Sequence, residues 1–354
     1  ASKLVKMYRL CAEQMSPHVE DQVVAEPFDD GPQDADTRLD RLGSDDGLGD
    51  RYNFGPVNFL LTPAERVNIG AYGHFDLADR AQTYAELLYV DSQNSIQLAP
   101  TPATGIFVDR DSPLLSADVQ ALLDTRLDPS APAVLRRRMV EVGARVQENS
   151  SKLQQITFGV RGDIGFRDMK YDAYYAYGRT EFDNFTTNDV SRSRLEAGLA
   201  GCPAEYIQFV PECVPVNAFG AGNITPAAAE FIRLNFSDTL IFERQLVNAS
   251  VNGNLFALPA GDVGFAVGVE WRDDQSDFTP DQAKQRGDIE GFNAQQPING
   301  SFDVKEIFVE GLVPLLTGVT GAQSLTLDLG ARLSEYSTVG GVTSMKAGLN
   351  WTPK

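Results

Sequence analysis

Val263-Gly264-Phe265-Ala266-Val267-Gly268-Val269-Glu270-Trp271-Arg272 is the stretch on which the fold turns. Val263, Phe265, Val267, Val269 and Trp271 fall on one side of a two-residue repeat, and Gly264, Ala266, Gly268, Glu270 and Arg272 on the other. A period of two belongs to a β-strand, whose successive side chains point to opposite faces. The preceding segment alternates too, with Val247, Ala249, Val251, Leu255 and Ala257 against Asn248, Ser250, Asn252 and Asn254. Pro259-Ala260-Gly261-Asp262 between them has turn composition, so the pair reads as a β-hairpin.

The unit recurs in both directions. Val67, Ile69, Ala71, Phe75 and Leu77 alternate with Arg66, Asn68, Tyr72, His74 and Asp76; after Asp79-Arg80, Ala81, Ala85, Leu87 and Tyr89 alternate with Gln82, Glu86 and Asp91. Ile156, Phe158, Val160, Ile164 and Phe166 oppose Gln155, Thr157, Arg161 and Asp163, and Tyr171, Ala173, Tyr175 and Tyr177 oppose Lys170, Asp172, Tyr174 and Gly178. Further on, Ile307, Val309 and Val313 oppose Glu306 and Glu310, and Leu325 to Leu333 alternate with Ser324, Asp328, Gly330, Arg332 and Ser334. Met345, Ala347, Leu349 and Trp351 close the series. This predicts an all-β chain of about nine antiparallel strands in up-and-down order, each of roughly 12–16 residues, well beyond the mode of about 5–6. Short turns alternate with long connections at 92–150, 186–241 and 278–301. Ser116 is placed to cap a helical turn over 117–126, and Thr225-Pro226 to open another reaching about 235.

Strands this long, apolar on one face and polar on the other, with aromatics near their ends (Tyr89, Phe166, Tyr177, Trp271, Trp351), predict a transmembrane β-barrel. Val267 and Leu327 then face lipid, and Arg161, Asp163, Glu270, Arg272, Glu306, Glu310, Asp328 and Arg332 face the lumen. No apolar run reaches the ~18 residues of a membrane-spanning helix, which leaves a barrel open. A secreted, soluble β-sandwich is the rival arrangement, since it also alternates but turns its apolar face inward.

Composition narrows the function. A net charge of −19 argues against a nucleic-acid partner, because a phosphate backbone needs a basic footprint. There is no Gly-x-Ser-x-Gly elbow, P-loop or dinucleotide fingerprint, and His18 and His74 lie far apart, so no catalytic, metal or cofactor site is read and the chain is not expected to be an enzyme. Carboxylates such as Glu270, Glu306 and Asp328 sit where solvated polar residues are expected anyway. Arg136-Arg137-Arg138 reads as a solvated or lipopolysaccharide-facing patch. Cys202 and Cys213, with ten residues between them and prolines around them, suit a disulfide loop in an oxidising compartment; metal binding is the weaker reading. Cys11 is left over.

Gly287-Asp288-Ile289-Glu290-Gly291-Phe292-Asn293 through Gln296-Pro297-Ile298-Asn299-Gly300-Ser301-Phe302-Asp303-Val304-Lys305-Glu306 resembles TonB-dependent receptors of the proteobacterial outer membrane. So do Tyr336-Ser337-Thr338-Val339-Gly340-Gly341-Val342, Lys346-Ala347-Gly348-Leu349-Asn350-Trp351, Tyr52-Asn53-Phe54, Val190-Ser191-Arg192-Ser193-Arg194 and Ile224-Thr225-Pro226. The resemblance implies a 22-stranded barrel around an N-terminal plug. Such a barrel takes up siderophores, cobalamin or saccharides with energy drawn through TonB from a short N-terminal box. Its implied partners are outer-membrane lipid and lipopolysaccharide, the TonB complex and a small-molecule ligand. Neither plug nor box is read here. The expectation is therefore an excerpt, with 1–50 a truncated extracellular loop segment and 51–354 a partial barrel. A passive porin-like or structural barrel is the functional alternative.

Overall fold

The computed structural model describes residues 52–353 apart from Ala221. The expectations for residues 1–50 and for Cys11 lie outside the described residues. The strands are β1 (Ala64–Ala78), β2 (Ala81–Leu98), β3 (Pro102–Val108), β4 (Ala133–Arg138), β5 (Arg145–Asp163), β6 (Lys170–Val190), β7 (Arg233–Leu258), β8 (Gly261–Thr279), β9 (Ile298–Val319), β10 (Ala322–Tyr336) and β11 (Gly340–Thr352). Nine of them form one antiparallel sheet in the order β1-β2-β5-β6-β7-β8-β9-β10-β11, each beside its neighbour in the chain once the small β3–β4 hairpin is set aside. Helices α1 (Ala117–Asp124), α2 (Arg192–Leu199), α3 (Ala204–Ile207), α4 (Pro226–Ile232) and α5 (Gln282–Gln285) all lie in the connections at one end.

Register keeps the alternation coherent from strand to strand. Tyr171 pairs with Val251, Val251 with Val267, Val267 with Val309 and Val309 with Ala331. Three residues further along each strand, on the opposite face, run Gly159, Tyr174, Asn248, Glu270, Glu306 and Ser334. Much of the apolar face stays open among the described residues: Val269 is 52% exposed and Leu349 61%, although Val263 is buried. A sandwich would have buried them between two sheets.

β1, β10 and β11 have the expected length, but the other six strands of the sheet are longer, from 18 residues in β2 to 26 in β7. The sheet therefore takes in much of what the sequence reading left to loops, and the connections narrow to 99–144, 191–232 and 280–297. The cause lies on the apolar face. Beyond one line across the sheet it turns polar: Tyr89 pairs with Gln154, Gln154 with Arg179, Arg179 with Glu243, Glu243 with Gln275 and Gln275 with Ser301. Where both faces are polar, alternation carries no signal. For the same reason Asp91, read as facing away from Tyr89, shares its face and accepts a bond from its hydroxyl at 3.3 Å.

The short-turn end differs in detail. Ile164 and Phe166 belong to the turn after β5, not to the strand. β9 runs past Pro314 to Val319, the proline lying beside a register shift against Leu325 and Thr326.

At the other end the connections fold into a lid. Ser116 caps α1, accepting from the Val119 amide, and Thr225 caps α4 through the Ala228 amide. That helix ends at Ile232, because Arg233 already begins β7. The β3–β4 hairpin, α2, α3 and α5 are additional to the two helical turns read from sequence. Met139, Val142, Leu195, Val216, Ile224, Ala228 and Ile232, from different connections, form one buried apolar cluster.

Candidate binding face under the lid

The polar face of the sheet carries the residues singled out as lumen-facing, and the structure pairs most of them. Arg161 donates to Tyr72 and Gln82, each at 2.9 Å. Glu270 accepts from Asn248 at 3.0 Å. Arg272 reaches Asp274 at 3.2 Å, and Arg244 grips the same carboxylate through two nitrogens. Glu306 is buried and accepts from Ser334 and from Arg332, the latter at 3.1 Å. Asp328 is ion-paired to Lys346, and Glu310 lies exposed in register with Gly330, the partner of Lys346. Asp163 is different: it ends β5 and its carboxylate accepts from the Gly165 amide, a turn-capping role.

Two glycines on this face house aromatic rings. A Cβ on Gly159 would sit 2.5 Å from Tyr84 Cζ, and one on Gly268 would strike Phe308. Tyr84 lies across Gly159 and donates to Asp172 two strands away at 2.8 Å. The sequence reading placed Gly268 on the polar face without a role and did not single out Gly159; strand glycines opposite aromatics were the available signal.

Three connections meet at a buried polar junction. Asp189, at the end of β6, accepts from Thr101 Oγ1 at 2.6 Å and from the Val190 amide at 2.9 Å, with Arg145 Nη1 3.8 Å away. Glu290, from the β8–β9 connection, accepts from the Thr104 amide at 3.0 Å and from Arg192 Nε at 3.2 Å. Asp288 accepts from Ser191 Oγ and from the Ser193 amide at 3.0 and 2.8 Å. Burial pushes the Asp189 carboxyl above its ordinary value, and nearby Glu290 adds to this, while the Thr101 bond, Arg145 and the Val190 amide oppose it. Sequence reasoning missed all three carboxylates, since their partners come from distant parts of the chain.

Cys202 and Cys213 are joined by a disulfide with a Cα separation of 5.9 Å, in the lid and far from the short turns. Among the described residues no cluster of three or more His, Cys, Asp or Glu is placed to hold a metal.

Beneath the lid, on the polar face, a cavity of about 310 Å³ is lined by Leu98, Arg145, Gln147, Phe182, Asn184, Thr186, Asp189, Phe236, Asp238, Leu240, Phe278, Lys284 and Phe292. Lys284 is buried there, ion-paired to Asp238 and lying 5.0 and 5.4 Å from the ring centres of Phe236 and Phe292.

No protein-family model matches the chain, and no curated protein does. Among solved structures, the ferric-catecholate import receptor Fiu from E. coli K12 is similar at 14% identity and a TM-score of 0.37, over 81% of this chain and 40% of that one. The siderophore receptor PiuA from Acinetobacter baumannii is similar at 13% identity and a TM-score of 0.32, over 82% and 39%. Both are distant likenesses. The chain spans about two fifths of the length of each.

Proposed function

We propose that the protein is part of the wall of an outer-membrane receptor that captures a small molecule at the lid end and passes it along the polar face. The observation that carries the membrane reading is the apolar band, coherent in register from β1 to β11 and ending along one line of polar side chains. Within it β8 contributes 263–271 and β10 contributes 325–333, at the lower end of the roughly 9–11 residues of a tilted spanning strand. Tyr89, Tyr177 and Trp271 lie along its upper limit, where amphipathic rings favour the headgroup layer. Arg161, Glu270, Arg272, Glu306, Glu310, Asp328 and Arg332 then face the lumen, with Asp163 at its periplasmic rim. The lid is extracellular and lipopolysaccharide surrounds the polar collar above the band.

Coupling to TonB and the wider ligand class rest on the sequence resemblance. Uptake by cells expressing the receptor is expected to stop when the proton-motive force is collapsed, with the protein still in the outer-membrane fraction. Undiminished uptake would instead indicate a passive barrel. Recovery in the aqueous fraction would sink the membrane reading itself.

A further inference from the structure

In the cavity under the lid an unspent donor lies open beside a sealed acceptor. Arg145 spends its Nε on the Ala99 carbonyl at 3.0 Å, while its two Nη atoms make no hydrogen bond among the described residues. Its side chain lines the cavity and is 16% exposed, so the Nη edge is within a ligand's reach. Asp189 Oδ2 lies 3.8 Å from Nη1, too far for a hydrogen bond, and is buried with no partner among the described residues. The whole Asp189 side chain is 0% exposed. A molecule entering here meets the guanidinium and not the carboxylate oxygen.

The other charged groups facing this pair are engaged elsewhere. Lys284 of α5 holds Asp238 of β7, whose other oxygen accepts from the Asp281 amide at 3.0 Å. Glu290 from the β8–β9 connection is held by the Thr104 amide and by Arg192. Arg138 of β4 donates to the Pro100 carbonyl at 2.9 Å, and its charge repels that of Arg145. The Nη edge of Arg145 therefore offers what the cavity has left to give. Two parallel N–H groups match the oxygens of a carboxylate, and such charge-assisted bonds are roughly twice as strong as neutral ones. Phe182, Leu240, Phe278 and Phe292 line the same space and would cover an apolar body attached to it. That body is small, since about 310 Å³ lies at the lower end of the usual range of roughly 300–1,000 Å³.

A carboxylate on Arg145 stands beside Asp189, and two like charges in a desolvated site oppose each other's ionisation. Asp189 is built to give way. Burial and Glu290 already raise its carboxyl above the ordinary value, and the bonds from Thr101 and the Val190 amide fall on Oδ1, which leaves Oδ2 free for a proton.

Resting on the reading of the lid end as the capture site, we infer that the cavity takes a small organic carboxylate on the Nη edge of Arg145, and that Asp189 takes up a proton from solvent as it binds. Linkage fixes the pH dependence. Affinity is highest while Asp189 is protonated and falls as pH rises through its raised value.

Isothermal titration of the purified protein in lipid nanodiscs with benzoate, benzamide and benzylamine tests this, at pH 5 and pH 8 and in buffers of different ionisation enthalpy. Benzoate is expected to bind about tenfold more tightly than the other two at pH 5, to weaken about tenfold by pH 8, and to draw protons from the buffer as it binds. Arg145→Met and the cavity-filling Leu240→Trp should each abolish benzoate binding. Asp189→Asn should raise the affinity at pH 8 towards its value at pH 5 and remove the proton uptake. Heat-modifiable electrophoretic migration confirms that each variant folds. Preferred binding of benzamide or benzylamine, abolished by Leu240→Trp, would overturn the carboxylate inference and keep the capture site. So would benzoate binding without proton uptake, or with an uptake that Asp189→Asn leaves unchanged. Binding insensitive to Leu240→Trp, or no binding of any probe, would overturn both.

Discussion

Gly159 shows how little room single positions leave. Tyr84 is buried against it, and any side chain there displaces the ring and its bond to Asp172. Gly159→Val should lower stability by about 1–3 kcal/mol through overpacking, read as a lower urea midpoint for unfolding from lipid. Tyr84→Phe, which keeps the ring, should cost only about 0.5–1.5 kcal/mol for the lost bond. Equal losses would mean that the close approach contributes nothing. Asp189 offers a second test, in the lid beyond the apolar band. Its pKa is raised in the folded protein by burial, so its contribution to lid stability is fully present below the ordinary carboxylate value of 3.8 and is lost as pH rises through the raised value. Amide hydrogen exchange at Val190 and Leu195, corrected for intrinsic rates, should therefore show more protection at pH 4 than at pH 7. In Asp189→Asn, whose carboxamide oxygen can still accept from Thr101, that difference should shrink. An unchanged pH dependence would place its origin elsewhere.

Among the elements, the lid is a folded unit with its own apolar cluster, laid across the ends of long strands. The disulfide closes the segment after α2, where Cys202 has the uncommon left-handed φ of 62°. A closed loop of this size stabilises by about 2–4 kcal/mol, and none of it bears on pairing within the sheet. Replacing both cysteines by serine should expose 200–216 to protease and leave the sheet's heat-modifiable migration intact. Loss of that migration would show that lid and sheet fold as one cooperative unit.

At the scale of the molecule, the proposed membrane reading requires the apolar face to meet hydrocarbon. Val267 lies mid-band on the apolar face, and Asn248 on the other face beside Glu270. Val267→Arg should cost about 2–4 kcal/mol on folding into lipid vesicles, the range for arginine at the bilayer midplane. Asn248→Arg places its charge next to a carboxylate and should fold nearly as the parent does. If the two variants fold alike, or in reverse order, the faces are assigned the wrong way round. A slip of one residue along β8 would exchange every side chain between them.

The sequence by itself determined the strands' existence, order and facing within the band, because there one side of each strand carries apolar residues and the other polar ones, writing a period of two into the residue types. Val263 to Arg272 sufficed to identify a strand, and Ser116 and Thr225-Pro226 to place two helix starts, since caps are local devices. The tertiary structure alone decided how far the strands run beyond the band, where both faces are polar and the period vanishes. It alone brought Thr101, Asp189 and Glu290 to one junction, and four phenylalanines from β6, β7, β8 and the β8–β9 connection to one cavity. Those contacts span up to 186 positions of chain, and their partners are chosen by strand register and loop packing, which no local residue pattern encodes.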